Sequence, residues 1–309
     1  MNYNDLDVSE KDFTVLKMHS KNVILEILPE KGARISSYSL KNKNNIFELL
    51  RPVYIRPLIN KDSLKKASFP LVPFSNRINR GEFTFQGKKI KLPLNFYPEP
   101  HAIHGHGWEQ KWEECQFNEN YTILEYEYFP DEWPFKYSAR QIFELDGSNL
   151  SITMQVKNTG QTSMPAGLGL HPYFIRTPNS FINAETKKMW INNSKKIPHK
   201  LKIVPEIELL SKGLHINGFE LDNIFTGWNH KAKITWPEWN LILFIETKTP
   251  VDYILIYSPS NEDFFCLEPI SHITNAFNMI DRSRHSHGTQ TLNPDQTLEG
   301  QVIFKPIIN

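Results

Sequence analysis

The sequence predicts an all-β protein built as an antiparallel sandwich or barrel, and three observations support this prediction. Short segments rich in β-branched and aromatic residues recur along the 309 residues, and several alternate apolar with polar side chains. Strands do not alternate with long helical segments, which disfavours a parallel α/β fold. Prolines number 21, and no biased linker or internal repeat divides the chain. We therefore expect one domain spanning residues 1–309.

The clearest strand is Leu150–Lys157, in which apolar and polar residues alternate without a break. Phe83–Ile90 is typical of a hairpin with a glycine in its turn. Lys61–Ser68 is the segment whose pattern suits a helix. The other predicted strands, in chain order, are Val23–Leu28, Tyr121–Phe129, Arg140–Leu145, Leu241–Glu246, Asp252–Tyr257 and Val302–Phe304.

Charge and composition exclude several classes of function. Lys and Arg number 35 and Asp and Glu number 34, so the formal net charge is +1, and neither nucleic acid nor an anionic membrane is expected as a partner. The first residues are polar and acidic, and no segment has the length of a membrane span. We expect a soluble, cytoplasmic protein. The two cysteines, Cys115 and Cys266, are too few for a disulfide scaffold and are expected to be reduced and packed.

The strongest candidate for chemistry is Glu268, which follows the apolar run Phe264–Leu267 and precedes Pro269. Proline has no backbone N–H to continue a ladder, so the strand is expected to end there. Alternation places Glu268 on the same face as Phe264 and Cys266. A carboxylate in apolar surroundings has a raised pKa and suits a general base near neutral pH. The alternative is a solvated carboxylate at a rim, paired with Lys or Arg.

Two further segments carry polar groups suited to a ligand. Asn76 and Arg77 follow the rigid apolar segment Phe69–Phe74, where a guanidinium could donate to the hydroxyls of a polar ligand or to carbonyls of its own loop. Asp222 could accept hydrogen bonds from two sugar hydroxyls. An Asp222-Asn223 pair is also an ordinary turn sequence, so this interpretation has a structural alternative.

Three histidines, His101, His104 and His106, lie within six residues, together with two glycines and Trp108. Glycine lets the backbone approach a ligand closely, and a tryptophan ring offers a face for stacking against a sugar. The His-x-His spacing before Glu109 also allows a cupin-like metal site. In a third interpretation, these histidines are hydrogen-bonded within a loop.

A further histidine motif is Gly167–Phe174, in which His171 precedes Pro172. In an extended segment, the face that carries His171 otherwise carries Gly167 and Gly169, whereas the leucines point to the opposite face. The glycine-bearing face therefore has room for a small ligand beside the imidazole. The alternative is a glycine-weakened edge strand with an incidental histidine.

In their order and spacing these motifs resemble the aldose 1-epimerase (mutarotase) family over nearly the whole chain. The motifs concerned are Leu28–Arg34, Ser75–Ile78, Ile103–Gly105, Leu170–Phe174, Leu221–Phe225, Cys266–Pro269 and Leu292–Leu298. The resemblance implies a large antiparallel β-sandwich, called a supersandwich, that binds a monosaccharide in an open cleft on one sheet. Galactose-type mutarotases carry a Leu-His-Gly-Gly turn, whereas this chain has Ile103-His104-Gly105-His106, which looks closer to a less characterised mutarotase-like branch.

The resemblance also implies roles for individual residues. Glu268 matches the general base that takes the proton from the anomeric hydroxyl, and His171 matches the general acid that protonates the ring oxygen. His104 matches a second imidazole near the ring oxygen. Arg77 and Asp222 match groups that hold the other hydroxyls.

Three neighbours of these residues, Asn76, His106 and Trp108, join the expected substrate-binding residues. The implied reaction opens the ring to the free aldehyde and closes it on the other face, so no cofactor and no metal is expected. The expected partner is a monosaccharide, bound by a monomer or a homodimer.

The chemistry suits these residue types independently of the family. Mutarotation moves one proton off O1 and one onto O5, which requires an acid and a base on opposite sides of a small ring. A glycosidase normally needs two carboxylates that flank the bond, whereas the candidates here are one carboxylate and two imidazoles.

Three alternatives to a mutarotase stay open. One is a hexose-6-phosphate 1-epimerase, in which several arginines would have to converge on a phosphate. The second is a carbohydrate-binding protein without catalysis, and the third is a cupin-like metal enzyme that uses His104, His106 and Glu109. The arginines available for a phosphate are Arg34, Arg51, Arg56, Arg77 and Arg80.

Overall fold

The computed structural model of the chain describes residues 13–53, 68–279 and 287–308. Strands make up the larger part of them, which confirms the predicted all-β class. In chain order the strands are β1 (Leu16–Ser20), β2 (Val23–Leu28), β3 (Arg34–Asn42), β4 (Asn45–Glu48), β5 (Ser68–Leu71), β6 (Arg77–Ile78), β7 (Glu82–Phe85), β8 (Lys88–Lys91), β9 (Ala102–Ile103), β10 (Glu113–Phe117), β11 (Tyr121–Tyr128), β12 (Tyr137–Asp146), β13 (Asn149–Asn158), β14 (Met164–Ala166), β15 (Gly169–Ile175), β16 (Phe181–Ala184), β17 (Lys188–Asn192), β18 (Pro198–Lys202), β19 (Leu214–His215), β20 (Leu221–Thr226), β21 (Lys231–Trp236), β22 (Leu241–Thr247), β23 (Tyr253–Ser258), β24 (Phe264–Ile270), β25 (Gln290–Leu292) and β26 (Thr297–Ile308). Every predicted strand lies within one of these, to within one residue at its ends.

Helical structure is sparse in the described residues. The α-helix α1 (Pro205–Lys212) was missed by the sequence analysis, although proline in its first turn, Lys212 in its last turn and Gly213 after it are all helix signals. The helix predicted at Lys61–Ser68 lies outside the described residues, apart from Ser68, which begins β5. No helix in the described ranges has the length and apolar character needed to cross a membrane. The 3-10 helices are Pro29–Lys31, Asn79–Gly81, Ile216–Gly218, Pro237–Trp239 and Ala276–Met279.

Two large antiparallel sheets pack face to face. The first, called here the cleft sheet, has the strand order β1-β2-β3-β5-β15-β24-β23-β20-β17-β18, and β4 pairs with β3. The second, the back sheet, has the order β10-β11-β12-β13-β26-β22-β21-β16-β19. Hairpin β7–β8 confirms the predicted turn, and β6 pairs with β9 so that Arg77 lies opposite Ile103. This last pairing brings two of the predicted motifs together.

The main apolar core lies between the two sheets. Tyr38 of β3 and Phe174 of β15 contact Phe304 of the back sheet, at ring-centroid distances of 6.1 Å and 6.3 Å. A second apolar cluster covers the opposite face of the cleft sheet. Central strands of this sheet are therefore buried on both faces, which explains why β24 begins with an unbroken apolar run.

Strand β24 confirms the predicted alternation of side chains but not the predicted strand end. Phe265 and Leu267 lie in the main core, whereas Phe264 and Cys266 lie in the second cluster, on the face of Glu268. The strand continues beyond Glu268 to its end at residue 270, and its pairing with β23 is maintained there.

One ladder of the cleft sheet is interrupted beside the candidate base. Strands β15 and β24 pair at both ends of their overlap but not between, where Pro172 and Pro269 have no N–H to donate. Continuing the register across this gap places His171 opposite Glu268.

The edge of the back sheet at β10 carries a bulge. The register with β11 shifts between Glu114 and Gln116, so Cys115 is the extra residue, and all five residues of β10 are exposed. Cys115 is thus exposed rather than packed as predicted, whereas Cys266 is buried, and both are free thiols.

Candidate active site

A cleft of about 550 Å³ lies on the face of the cleft sheet that points away from the back sheet. Strands β5, β15, β20, β23 and β24 contribute its floor, and the residues around β6 and β9 contribute a wall. Aromatic rings and charged groups alternate around it, as in sites that bind a polar ligand with one apolar face. Its lining comprises Arg51, Phe69, Asn76, Arg77, Phe96, Glu99, Ile103, His104, Trp108, His171, Tyr173, Lys196, Asp222, Leu255, Tyr257, Glu262, Phe264 and Glu268.

Glu268 and His171 meet on the floor of the cleft. Oε1 of Glu268 lies 3.4 Å from Nε2 of His171, and the Glu268 side chain is only 2 % exposed. Its Oε2 atom is buried and has no hydrogen-bond partner among the described residues. The floor therefore offers one buried carboxylate oxygen that can accept a hydrogen bond from a ligand hydroxyl.

Burial shifts the pKa values of this pair in opposite directions. The pKa of Glu268 is raised well above its ordinary value, by burial first and by the Asp222 carboxylate second, whereas Arg77 opposes the shift. Burial and the nearby Arg77 lower the pKa of His171 to about 3. Together these shifts favour the uncharged pair, with the proton on Glu268 and a neutral imidazole on His171.

His104 lies beside His171 at the end of the β6–β9 pair. The two ring centroids are 5.1 Å apart in an edge-to-face arrangement. Nδ1 of His104 accepts a hydrogen bond from the Asn76 N–H at 3.2 Å, so the proton of the neutral ring is on Nε2. Burial, His171 and Arg77 lower the pKa of His104 well below its ordinary value. The ring is therefore a neutral hydrogen-bond donor in the cleft.

Arg77 is held by three oxygen atoms. Its Nε donates to Glu99 Oε2 at 3.0 Å, its Nη1 donates to Asn76 Oδ1 at 3.3 Å, and its Nη2 lies 3.4 Å from Asp222 Oδ2. Asn76 itself adopts a left-handed backbone conformation, with φ of 57°, which asparagine tolerates better than most residues. Two of the five guanidinium N–H groups are left for a ligand.

The other cations of the cleft are also paired with acids. Arg51 Nε lies 2.8 Å from Asp263 Oδ1, and Lys196 Nζ lies 3.7 Å from Asp222 Oδ2. Each basic side chain in the described cleft lining thus lies within 4 Å of a carboxylate. This lining has no surplus of positive charge.

Trp108 lines the cleft as expected, but His106 does not. The Trp108 ring packs 5.4 Å from Phe69. His106 points away from the cleft, stacks on Tyr128 at 4.6 Å and places Nδ1 3.3 Å from the Tyr137 hydroxyl. Burial there lowers the pKa of His106 to about 4. The expectation that His106 binds substrate is therefore corrected, because its ring is packed against aromatic side chains elsewhere.

The cupin-like metal site considered for His104, His106 and Glu109 is not formed, since these ligand atoms do not converge in the described chain. Another set does converge: ligand atoms of His171, Cys266 and Glu268 lie within 4.8 Å of one another. Burial and the Glu268 and Asp222 carboxylates raise the pKa of the Cys266 thiol well above its ordinary value. Within this set Nε2 of His171 lies 3.4 Å from Oε1 of Glu268, a pairing of imidazole and carboxyl that is suited to acid–base chemistry.

Gly167, just before β15, and Gly169, its first residue, have a different role from the expected one. A Cβ atom on Gly167 would lie 1.8 Å from Cδ2 of His272, and one on Gly169 would lie 2.7 Å from Cγ2 of Ile270. The space beside these glycines is therefore filled by Ile270, the last residue of β24, and by His272, which follows the strand. It is not left empty for a ligand.

The sequence analysis missed several cleft residues, of which Glu99 is the most important because it binds Arg77. Glu99 lies between two prolines just before the histidine cluster, and this placement is the only local signal. Lys196 and Tyr257 were missed because nothing in their own segments distinguishes them from ordinary surface or strand residues.

The fold is that of the galactose mutarotase-like β-sandwich proteins. A model of the aldose 1-epimerase family matches residues 15–305. The chain belongs to the aldose 1-epimerase family. This membership supports an aldose epimerase type of function.

Three relatives illustrate the similarity. The uncharacterised protein YphB of Escherichia coli K12 is 31% identical over 212 residues, which cover 66% of this chain and 72% of that protein. A crystal structure of a candidate aldose 1-epimerase from Escherichia coli K12 has a TM-score of 0.84 at 25% identity and covers 96% of this chain and 100% of its own. A galactose mutarotase-like protein from Clostridium acetobutylicum has a TM-score of 0.82 at 19% identity, with coverages of 97% and 100%.

Proposed function

We propose that this protein interconverts the α and β anomers of an unphosphorylated aldose bound in the cleft. The observation that carries the proposal is the contact between Glu268 and His171, which places a buried carboxylate and an imidazole 3.4 Å apart in a cleft lined by hydroxyl-binding groups. Ring opening requires one proton to leave O1 and one to reach O5. One carboxylate and one imidazole that share a single proton can supply both transfers.

Glu268 acts as the base on O1, and His171 acts as the acid on O5. In the free cleft the pKa shifts favour the proton on Glu268, so the working arrangement has to form with the sugar in place. A sugar hydroxyl that donates to Glu268 Oε2 stabilises the carboxylate, as does the charge of Arg77. The proton then passes to His171, and ring closure on the other face returns both protons by the same two groups.

The remaining residues position the sugar. The two free N–H groups of Arg77 and the carboxylate of Asp222 hold hydroxyls remote from the reacting atoms, as donors and acceptor respectively. The neutral His104 donates from Nε2 toward the ring oxygen. The aromatic face of Trp108 covers the C–H surface of the ring.

A phosphorylated substrate is disfavoured by the charges of the cleft. A phosphate needs basic side chains that are free to bind it, whereas Arg51, Arg77 and Lys196 each lie within 4 Å of a carboxylate. Of the other arginines considered for this role, Arg34 is buried and donates to the Trp108 carbonyl, and Arg80 is not among the residues that line the cleft. Arg56 lies outside the described residues.

The proposal is tested by measuring anomer exchange with saturation-transfer NMR. The sugars are D-glucose, D-galactose, D-mannose and their 6-phosphates, each with a chelator present, and the proteins are the wild type and Glu268→Gln. Acceleration with a free sugar that is lost in Glu268→Gln is the expected result. Binding without acceleration would establish a carbohydrate-binding protein instead, and acceleration of the 6-phosphates alone would overturn the choice of substrate class.

A further inference from the structure

The segment Ser271–Asn275 follows β24 and contributes no residue to the cleft lining. It contacts two segments that do contribute to the cleft: the strand of His171 and the loop of Arg77. Ser271 exchanges two hydrogen bonds with Leu168, just before the strand of His171. Its N–H donates to the Leu168 carbonyl at 2.8 Å, and its Oγ accepts from the Leu168 N–H at 2.9 Å. These two hydrogen bonds join the strand of Glu268 to the strand of His171 just beyond the end of the β15–β24 ladder.

His272 joins the same segment to the loop of Arg77. Its Nε2 accepts a hydrogen bond from the Ser75 N–H at 3.0 Å, and its Nδ1 lies 2.8 Å from the Ile273 carbonyl oxygen. A carbonyl can only accept, so Nδ1 carries the proton and Nε2 has none. The His272 carbonyl also accepts a hydrogen bond from Ser75 Oγ, at 3.4 Å.

Asn275 makes a second connection to that loop. Its N–H donates to the Arg77 carbonyl at 2.7 Å, and its Oδ1 accepts from the Asn79 N–H at 2.9 Å. His272 is 2% exposed, and its ring fills the space beside Gly167 so closely that no Cβ could be added there. A ring packed in this way is held firmly and can act as a fixed support.

We propose that His272 is a positioning residue that holds Arg77, through Ser75, at a set distance from Glu268 and His171. The inference rests on the proposed function. The backbone of Asn76 adopts a left-handed conformation, so a regular ladder cannot satisfy the N–H groups of this loop. These groups therefore need hydrogen-bond acceptors from other segments. Burial lowers the pKa of His272 to about 4, so the ring is a neutral acceptor at neutral pH.

Two substitutions separate this role from packing. His272→Gln places an amide oxygen near the position of Nε2 and can still accept from the Ser75 N–H. His272→Asn places its amide near Nδ1, keeps a donor for the Ile273 carbonyl and leaves the Ser75 N–H unpaired. Both variants lose the ring, but asparagine is one methylene shorter than glutamine, so the urea midpoint of each variant is measured to report its packing loss. The readouts of the proposed role are kcat and KM for the sugar that exchanges fastest in the NMR panel.

We expect His272→Asn to raise KM about tenfold with kcat nearly unchanged, and His272→Gln to stay within about threefold of the wild type, because Arg77 binds hydroxyls in ground and transition state alike. In an Arg77→Ala background, His272→Asn should add little further loss. Equal effects of Asn and Gln, or an undiminished effect in that background, would overturn the proposal.

A separate readout distinguishes this inference from the proposed function. Calorimetric titration of D-galactose and D-glucose into Glu268→Gln/His272→Asn and Glu268→Gln/His272→Gln compares sugar affinity without turnover, and the Asn variant should bind about tenfold more weakly. If His272→Asn does not fold, the imidazole ¹⁵N chemical shifts of the wild type still show which ring nitrogen of His272 carries the proton. A proton on Nε2 of His272 would contradict the assigned acceptor.

Discussion

Nε2 of His171 lies 3.4 Å from Oε1 of Glu268, across two strands whose ladder is interrupted between them. The interruption follows from Pro172 and Pro269, which cannot donate to the ladder. The fold thus aligns an imidazole and a carboxyl group by strand register, and the central strands that hold them are covered on both faces. Rigid placement of this kind is what proton transfer between fixed atoms requires.

Glu268→Gln should reduce kcat/KM by about 10²–10⁴-fold, the range contributed by one general base. The amide keeps the size of the side chain but cannot take a proton from O1. The control is Glu262→Gln, the same change on an exposed carboxylate of the cleft lining, which should keep activity within about twofold of the wild type. Wild-type turnover in Glu268→Gln would remove Glu268 from the mechanism.

The pH profile of kcat/KM should be broad. Activity falls on the acid side when a second proton binds to the Glu268–His171 pair. Because the pKa of His171 is lowered to about 3, activity should persist well below the ordinary histidine pKa of 6.5. The alkaline limb reports loss of the single proton, and the raised pKa of Glu268 moves it well above 4.5. Exchange rates are measured against pH, with circular dichroism to confirm folding. An acid limb centred near 6.5 would contradict the assignment.

The pH dependence of thermal stability should differ between the wild type and Glu268→Gln. Glu268 has a folded-state pKa above its unfolded value of 4.5, so the unfolded chain releases its proton first and the wild type loses stability as pH rises from about 4.5. Glu268→Gln has no such loss. The difference in Tm, variant minus wild type, should therefore increase as pH rises above about 4.5. A difference that does not change with pH would show that the carboxyl is not protonated when folded.

Arg77→Lys should raise KM about tenfold and change kcat little. A lysine cannot reproduce the fork that contacts Glu99, Asn76 and Asp222 at once, so the hydroxyls it holds are misplaced in ground and transition state alike. The matched control is Arg140→Lys on the back sheet, where the arginine pairs with Glu125 at the surface and KM should not change. A loss confined to kcat would place Arg77 at the reacting atoms instead.

Gly167→Ala should destabilise the fold by about 1–3 kcal/mol, the usual cost of overpacking. The added methyl would lie 1.8 Å from the His272 ring, which has no space to withdraw. Gly218→Ala is the control, because a Cβ there meets nothing within 4 Å and its φ is not positive. Urea denaturation measures both variants, and equal midpoints would show that the His272 ring can move.

Local periodicity was enough to predict much of the fold and part of the cleft. Alternation along Phe264–Glu268 depends only on the pleat of a single strand, so the face of Glu268 was correctly predicted. The spacing of His104 and His106 gave no shared site, because His104 and Gly105 both have positive φ values and turn the chain between the two histidines. Residues two apart then no longer share a face.

Long-range contacts explain what the sequence could not show. Glu99 reaches Arg77 because Asn95 bonds both the N–H and the carbonyl of Ile103 and folds the intervening loop back on the cleft. No pattern within the loop encodes that closure. The function of Gly167 was misjudged for the same reason, since the ring that needs its space comes from more than a hundred residues further along the chain.

The bulge at Cys115 has a consequence for association between copies. An edge strand ordinarily offers a row of unpaired N–H and C=O groups to any extended chain. On β10 the extra residue breaks the even spacing of that row, and Glu113 and Glu114 add negative charge beside it. Strand addition to the back sheet is therefore disfavoured at this edge, both by the broken spacing and by the charge.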